Sequence, residues 1–390
     1  MTSEKKDIDR PLGRDNRPEK PGKRSRVFTT GRILLAFGAF AVLAVATAVS
    51  VRDRPFRTPS PVAVTEPVEK TVAEVQEPVG QDGASGAPSA SITRLSESQS
   101  SENGVIVIRD PSALGQHPRL AHLPDRGLIE ESENGPLPVR GVGGRRPFDV
   151  YARAWSGTRG ARIAVIIGGM GLSQTTTQHA IEALRPEITL AFAPAGNSLG
   201  RWMQTARKAG HEVILQVPME PFGYPSENPG RNTLTVAASP AQNLTRLRWA
   251  LSRITNYTGV MNYMGARFTA ESDSMRSIME ELGRRGLMYV DDGTSARSVA
   301  QDLALQEGVP FAASDALIDP TGNNRRPDRN RIRKKLDELE RIARARGYAI
   351  GTGSAFDETI ETVAEWAGEV TARGIELVPI SAVAADPQPH

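Results

Sequence analysis

Short apolar runs alternate with amphipathic stretches from Gly127 onward. The apolar runs, which predict buried strands, are 163–167, 188–193, 212–217, 259–263, 287–290, 316–318, 349–350 and 376–379. The amphipathic stretches, which predict helices, are 174–184, 200–209, 241–254, 272–285, 331–346 and 359–373. Strand and helix repetition at this spacing predicts an α/β fold with a parallel sheet, and about seven or eight units favour a (β/α) barrel. An open doubly wound sheet is the alternative.

The N-terminal part has a different pattern, with one long apolar run behind a basic tail. Residues 33–51 are 19 residues without a charge, which at about 1.5 Å per residue is long enough to cross a bilayer. Residues 1–32 carry ten Lys and Arg residues. The positive-inside bias therefore predicts a cytoplasmic tail over 1–32, a single-pass anchor over 33–51 in a bacterial inner membrane, and a periplasmic remainder. A signal peptide cleaved after Ala46-Thr47-Ala48 is the alternative.

Residues 52–126 are rich in Pro, Ser, Glu and Gly and contain few apolar residues. This composition predicts a disordered periplasmic linker, whose root-mean-square reach is about 50 Å. The short apolar run 105–109 within it is a candidate docking strand. The folded domain is then expected over 127–386.

Composition and charge exclude several classes of site. The chain has no cysteine, so disulfides, thiolate metal sites and thiol nucleophiles are excluded. The net charge is only +3, and the basic excess lies largely in the N-terminal tail. Nucleic acid is therefore not an expected partner.

Several motifs follow the predicted strands in a fixed order. They are Ile-Ile-Gly-Gly-Met-Gly at 166–171, Leu-Gln-Val-Pro-Met-Glu-Pro at 215–221, Asn-Tyr-Met-Gly-Ala-Arg-Phe-Thr at 262–269, Tyr-Val-Asp-Asp-Gly-Thr-Ser at 289–295, 315–319, and Val-Pro-Ile-Ser at 378–381. Together they resemble the divergent polysaccharide deacetylase family, a branch of the metal-dependent sugar deacetylases with an irregular β/α barrel. The resemblance covers 127–386 and implies an envelope polysaccharide as the ligand.

The resemblance also implies four metal or acid/base positions: an aspartate pair after the first strand and three histidines further on. This sequence has Gly168-Gly169, Gln216, Tyr263 and Ser354 at those places. Deacetylation of this type needs a divalent metal with about three protein ligands to acidify water and polarise the acetyl group. We therefore expect no histidine-based metal site and no resident cofactor, although a divalent metal held by oxygen ligands is the alternative. His179 and His211 fall in a predicted helix and at the opposite strand end, which indicates structural roles.

Carboxylates directly follow the predicted strands, at the sheet edge where reactive groups of such folds lie. Asp291 and Asp292 are the candidate catalytic residues, as general acid and base. The candidate substrate-binding residues are Glu220, Asn262, Arg267 and Asp319. Loop capping and ion pairs with Arg267 or Arg297 are the structural alternative. Tyr263 and Trp202 are candidates for a flat surface against a sugar ring, with core packing as their alternative.

Two other motifs are interpreted structurally. The glycine turn at 168–171 follows a strand and precedes a helix, but Gln174 occupies the third glycine position of the dinucleotide fingerprint and no acid ends the second strand. Its glycines indicate a close backbone approach or a positive φ. The basic run 325–335 opens a helix with acids on the following turns, which favours a solvated, ion-paired helix over a site for an anionic polymer.

Three hypotheses of function follow. The first is a membrane-anchored periplasmic deacetylase-like domain that lacks the usual metal site and binds an envelope glycan, such as peptidoglycan, or a periplasmic protein. The second is an active glycan deacetylase or amidohydrolase that uses the strand-end carboxylates and an oxygen-liganded metal. The third is a structural role in cell-envelope assembly.

Overall fold

A curled parallel sheet forms the centre of a computed structural model that describes residues 116–321 and 326–388. A small antiparallel hairpin precedes it, made of β1 (Ile129–Ser132) and β2 (Gly135–Pro138). The nine strands of the sheet are β3 (Arg162–Met170), β4 (Thr189–Phe192), β5 (Val213–Met219), β6 (Gly259–Met264), β7 (Met288–Asp291), β8 (Phe311–Ala313), β9 (Ala316–Leu317), β10 (Tyr348–Ser354) and β11 (Glu376–Leu377). Their order is β8-β7-β6-β5-β4-β3-β10-β9, with β11 paired to β3.

The two edges of this sheet are joined by the residues between β8 and β9. Ser314 N–H donates to Asp291 O at the end of β7 (2.9 Å), and Asp315 N–H donates to Ile350 O in β10 (2.8 Å). The sheet is therefore curled like a half-barrel, not spread flat. The predicted α/β fold with a parallel sheet is confirmed, and all carboxyl ends of the strands point to one end of the curl.

The strands are apolar on both faces because both faces are buried, as in other parallel sheets. In β3, Ile163, Val165 and Ile167 belong to the cluster that packs against the helices. The alternate residues Ala164 and Ile166 belong to a second cluster on the other face of the sheet, together with residues of the C-terminal segment 378–383. This alternation fixes the register of β3, since a shift by one residue would exchange the two faces.

The helices of the described residues are α1 (Pro147–Val150), α2 (Gln174–Ala183), α3 (Leu199–Lys208), α4 (Pro240–Leu251), α5 (Ser272–Arg285), α6 (Ala300–Gln306), α7 (Arg329–Arg346) and α8 (Asp357–Ala372). Helices α2 to α8 pack against the outer face of the sheet, whereas Phe148 of the short α1 belongs to the cluster on the other face. Local sequence sets several of their ends. Ser239 and Gln242 form a reciprocal capping box at the start of α4, and Gly286, with φ 68°, ends α5 in the left-handed conformation.

The N-terminal predictions fall mostly outside the described residues. The predicted tail, the anchor at 33–51 and the candidate docking strand at 105–109 all lie there. Within 116–321 and 326–388, no helix combines the length and hydrophobicity needed to span a bilayer. The end of the predicted linker does contact the domain, because Asn256 Nδ2 donates to Ala121 O (2.9 Å) and Leu123 O (2.7 Å).

Candidate functional site

A cleft of about 340 Å³ opens at the carboxyl ends of the strands. Gly168 and Gly169 from β3, Gln216 from β5, Tyr263 from β6 and Ser354 from β10 all line it. These are the occupants of the four places where the sequence resemblance implies an aspartate pair and three histidines. The fold therefore brings together four positions that are far apart in the chain.

The Gln216 side chain is folded against the backbone of β3. Gln216 Oε1 accepts a hydrogen bond from Gly169 N–H (2.8 Å). Its Nε2 lies so close to Gly168 that a Cβ built on that glycine would stand 2.6 Å away. Gly169 has φ +83°, a conformation that disfavours any other residue. The sequence interpretation of these glycines, close approach or positive φ, is confirmed.

Ser354 and Tyr263 form another part of the cleft wall. Ser354 N–H donates to Asp319 Oδ2 (2.7 Å), which also accepts from Thr359 Oγ1 (3.0 Å). Burial raises the pKa of Asp319 to about 6. Tyr263 is 43% exposed, so its ring is available to a ligand. Asp319 thus holds the end of β10 from behind the wall.

The rest of the wall is largely apolar, with one cation. Leu172, Pro194, Pro218 and Phe356 line the cleft beside Arg231. Sequence reasoning missed Leu172, Phe356 and Arg231 because they lie in loops whose course depends on the fold. Leu172 and Phe356 come just after a strand, which was their only signal, whereas Arg231 lies well beyond the end of β5. Gln216, Tyr263 and Ser354 were noted in the sequence, although only Tyr263 was given a contact with a ligand.

Trp202 does not share the position of Tyr263. It is 6% exposed and packs in the cluster between the sheet and the helices. The prediction that its ring offers a flat face to a sugar is wrong, because α3 turns this side chain towards the core. Its alternative, core packing, is confirmed.

Asp291 and Asp292 follow β7 as predicted but do not line the cleft. Asp291 accepts from Gly293 N–H (2.9 Å) and Ser298 Oγ (2.5 Å). Asp292 Oδ1 accepts from Thr294 N–H (2.9 Å) and Oγ1 (2.7 Å). Burial raises the pKa of Asp292 to about 6. Their contacts cap the turn after β7, and their catalytic roles stay predictions.

Asn262 stabilises the same region. Its Oδ1 accepts from Asp292 N–H (3.0 Å), while its Nδ2 donates to Met264 O (2.6 Å). The side chain is fully buried. Both its acceptor and one of its donors are thus engaged within the protein, and a role in substrate binding stays a prediction.

Glu220 and Arg267 form an ion pair beyond the end of β5. Glu220 Oε1 lies 2.8 Å from Arg267 Nη1, and Oε2 accepts from Val236 N–H (2.7 Å). Glu220 is buried, whereas about half of the Arg267 side chain is exposed. The ion pair that sequence analysis gave as the structural alternative is present. Neither residue lines the cleft, so their binding roles stay predictions.

The residues of the cleft do not suit the divalent metal that the family fold implies. The cleft offers an amide, a phenol and a hydroxyl where imidazoles would be needed. A carboxylate at position 168 would collide with Gln216. Within the described part of the chain, no group of three or more His, Asp or Glu side chains is arranged to hold a metal ion.

The histidines lie elsewhere. His211 is buried at the amino end of β5, where its Nδ1 lies 2.8 Å from Ile188 O. Burial lowers its pKa, which favours the neutral ring. His179 lies on α2 with Nδ1 3.4 Å from Asp357 Oδ1. Both have the structural positions that the sequence indicates.

Residues 329–335 of the basic run form the first part of α7 and are ion-paired to α8. Arg329 pairs with Glu361, and Arg333 pairs with Glu369. Lys335 pairs with Glu338 on the same helix (2.8 Å). The ion-paired helix is confirmed, although most partners come from the neighbouring helix and not from the following turns.

Comparisons with known proteins agree with this architecture. Residues 165–384 match the model of a family described as divergent polysaccharide deacetylase. An uncharacterized protein from Agrobacterium tumefaciens C58, with a known crystal structure, is 51% identical. Its alignment covers 64% of this chain and 99% of that chain, with a TM-score of 0.61.

Two curated proteins are more distant relatives. An uncharacterized protein from Haemophilus influenzae strain Rd is 26% identical over 200 residues, which are 51% of this chain and 69% of that protein. The uncharacterized protein YibQ from Escherichia coli K12 is 24% identical over 228 residues, 58% of this chain and 68% of that protein. The names of these relatives assign no substrate.

Proposed function

Because the chain belongs to the divergent polysaccharide deacetylase family, we propose that its domain binds an envelope glycan in the cleft without deacetylating it. The observation that carries this proposal is the position of Gln216. Its amide fills the space beside Gly168 and bonds Gly169 N–H, where the family chemistry needs carboxylate and imidazole groups. The strand ends still converge on one cleft, which supports the glycan proposal, whereas other residue types stand at the places of the metal ligands.

The walls of the cleft support a sugar ligand. A cleft of about 340 Å³ falls within the range of small-ligand sites, about 300–1,000 Å³. The half-exposed ring of Tyr263 and the apolar side chains of Leu172 and Phe356 offer flat and apolar surface. Polar groups between them can fix the orientation of hydroxyl and amide groups.

We further propose that residues 33–51 anchor the chain in the bacterial inner membrane and that 52–126 tether the domain in the periplasm. The basic tail and the uncharged run of 19 residues support this orientation. A reach of about 50 Å would let the domain meet peptidoglycan. A fusion of alkaline phosphatase to the C-terminus, active only in the periplasm, tests it; an inactive fusion would place the domain on the cytoplasmic side.

The glycan proposal is tested with the full chain, purified without a histidine tag in detergent. We expect co-sedimentation with insoluble peptidoglycan, less than 0.1 equivalent of divalent metal by plasma mass spectrometry, and no acetate release from acetylated glycans. Near-stoichiometric metal together with acetate release that chelators abolish would instead establish the deacetylase. Retention on an envelope protein but not on peptidoglycan would replace the glycan with a protein partner.

A further inference from the structure

Four polar side-chain groups at the cleft are not engaged within the protein. They are Gln216 Nε2, the Tyr263 hydroxyl, Ser354 Oγ and the Arg231 guanidinium. Among residues 116–321 and 326–388, none of these groups has a hydrogen-bond or ion-pair partner. All four can donate a hydrogen bond, and the amide nitrogen and the guanidinium can only donate. The cleft therefore presents a surplus of donors.

Gln216 shows that this surplus is built into the fold. The residue is only 7% exposed, and its Oε1 is held by Gly169 N–H. That bond fixes which end of the amide faces the backbone and leaves Nε2 facing the cleft. Nε2 is not among the fully buried side-chain atoms that lack a partner, so this donor is accessible at the cleft and can bond an acceptor on a ligand.

The charge around the cleft is positive, which favours the same kind of ligand as the hydrogen-bond donors do. Arg231 brings a positive charge, and in the described residues no Asp or Glu belongs to the lining. Ser173 and Thr176, at the start of the ten-residue helix α2, also line the cleft, so the positive end of that helix dipole lies beside it. The Asp319 carboxylate lies behind the wall and is bonded to Ser354 N–H and Thr359 Oγ1.

We propose that the cleft recognises a carboxylate carried by a sugar, with Gln216 Nε2 and Arg231 as its principal donors and Ser354 and Tyr263 as further donors. This inference rests on the proposed glycan binding and names the ligand class. A carboxylate supplies acceptors and one negative charge, which match unengaged donors and one cation. The apolar wall then covers the carbon body of the sugar. A site that held a cation in the family framework has become a site for an anion.

The test compares one sugar in two charge states. Binding of the muramic-acid disaccharide of peptidoglycan is measured by calorimetry on the full chain in detergent, with the ligand as free acid and as methyl ester. We expect the free acid to bind about tenfold more tightly, which is about 1.4 kcal/mol. This preference should shrink at high salt, because Arg231 is exposed.

Two variants and a control assign the preference to the cleft. Arg231→Gln should reduce the preference to about twofold. Gln216→Glu retains an acceptor for Gly169 N–H but replaces the Nε2 donor with a negative oxygen, so it should abolish the preference. Arg159→Gln removes an exposed arginine from the loop before β3 and should leave the preference unchanged. Circular dichroism and the melting temperature show that each variant is folded.

The outcomes separate this inference from the proposed function. Equal binding of acid and ester, or tighter binding of the ester, would overturn carboxylate recognition and leave glycan binding intact. Absence of binding to either form and to intact peptidoglycan would overturn both. Tighter binding of a short peptide with a free C-terminal carboxylate than of the sugar acid would overturn the assignment to a sugar.

Discussion

The amide of Gln216 occupies the space that a side chain at position 168 would need. A Cβ on Gly168 would stand 2.6 Å from Gln216 Nε2, and Gln216 Oε1 accepts from Gly169 N–H at 2.8 Å. A side chain at position 168 would therefore require Gln216 to move, whereas glycine leaves room for it. A single substitution back towards an acidic metal ligand at position 168 would first have to displace this amide.

Gly168→Ala tests that relationship. The added methyl group would push the buried Gln216 amide away from Gly169 N–H, so the free energy of unfolding should fall by about 1–3 kcal/mol. In a Gln216→Ala background the same substitution should cost at least 1 kcal/mol less, because contacting residues couple. Urea unfolding followed by tryptophan fluorescence measures this, since all four tryptophans lie in 127–386.

Gly200→Ala on α3 is the matched control, because a Cβ there would have no neighbour within 4 Å. It should leave stability unchanged or raise it by about 0.5–1 kcal/mol, as alanine favours a helix over glycine. Equal costs of Gly168→Ala with and without Gln216 would contradict the coupling.

Glu220→Ala distinguishes a structural role from a binding role. The substitution leaves Val236 N–H and Arg267 without their acceptor, and we expect a loss of about 2–3 kcal/mol in the free energy of unfolding. Glycan affinity of the folded protein should change less than twofold, because Glu220 is outside the cleft lining. Unfolding and calorimetry on the same preparation measure both quantities.

Glu227→Ala, an exposed glutamate in the loop after β5, is the control and should change neither quantity. If Glu220→Ala instead weakens glycan binding tenfold with unchanged stability, the substrate-binding role predicted from the sequence is correct.

Periodicity was enough to predict most of the sheet. Runs such as 163–167 and 259–263 are long and apolar because their strands are buried on both faces, and each becomes a strand of the sheet. Phe311–Ala313 (β8) was missed because three residues carry no readable period. The hairpin of β1 (Ile129–Ser132) and β2 (Gly135–Pro138) was also missed, since its prolines and acids obscure the alternation.

The site was only half predictable for a similar reason. Strand-end position brought attention to Asp291 and Asp292, but it does not say whether a side chain faces the cleft or caps its own turn. The contacts with Gly293, Ser298 and Thr294 decide this, and they depend on the course of the loop. The four positions identified by resemblance to the family motifs, in contrast, were expected to lie together, and all of them line the cleft.

Asp319 makes stability depend on pH in a defined direction. Its pKa is raised from 3.8 to about 6 in the folded chain, so the folded state binds this proton more tightly than the unfolded state. The contribution is fully present below about pH 4 and is lost as the pH rises through 6. Two units correspond to about 2–3 kcal/mol. Asp319→Asn should remove this dependence.

Urea unfolding of the parent and of Asp319→Asn at pH 4, 5, 6 and 7 measures the effect. The stability of the variant relative to the parent should increase by about 2–3 kcal/mol between pH 4 and pH 7. Asp337→Asn on the exposed face of α7 controls for the removal of one carboxyl. A relative stability that falls over this range would show that the carboxylate form is the one favoured by the fold.

Tyr263 separates the contribution of the ring from that of the hydroxyl. Tyr263→Ala removes the half-exposed ring that lines the cleft. It should weaken binding of both the acid and the methyl ester of the muramic-acid disaccharide about tenfold. Tyr263→Phe retains the ring and removes one hydrogen-bond donor, so it should weaken binding of the acid alone, by about threefold.

Phe222→Ala is the control for the loss of an exposed aromatic ring, because Phe222 is exposed but does not line the cleft. Its affinities should equal those of the parent. If Tyr263→Ala binds both ligands as the parent does, the ring is not part of the sugar contact, and the glycan would have to lie against Leu172 and Phe356 instead. If Tyr263→Phe weakens acid and ester alike, the hydroxyl bonds the sugar and not its carboxylate.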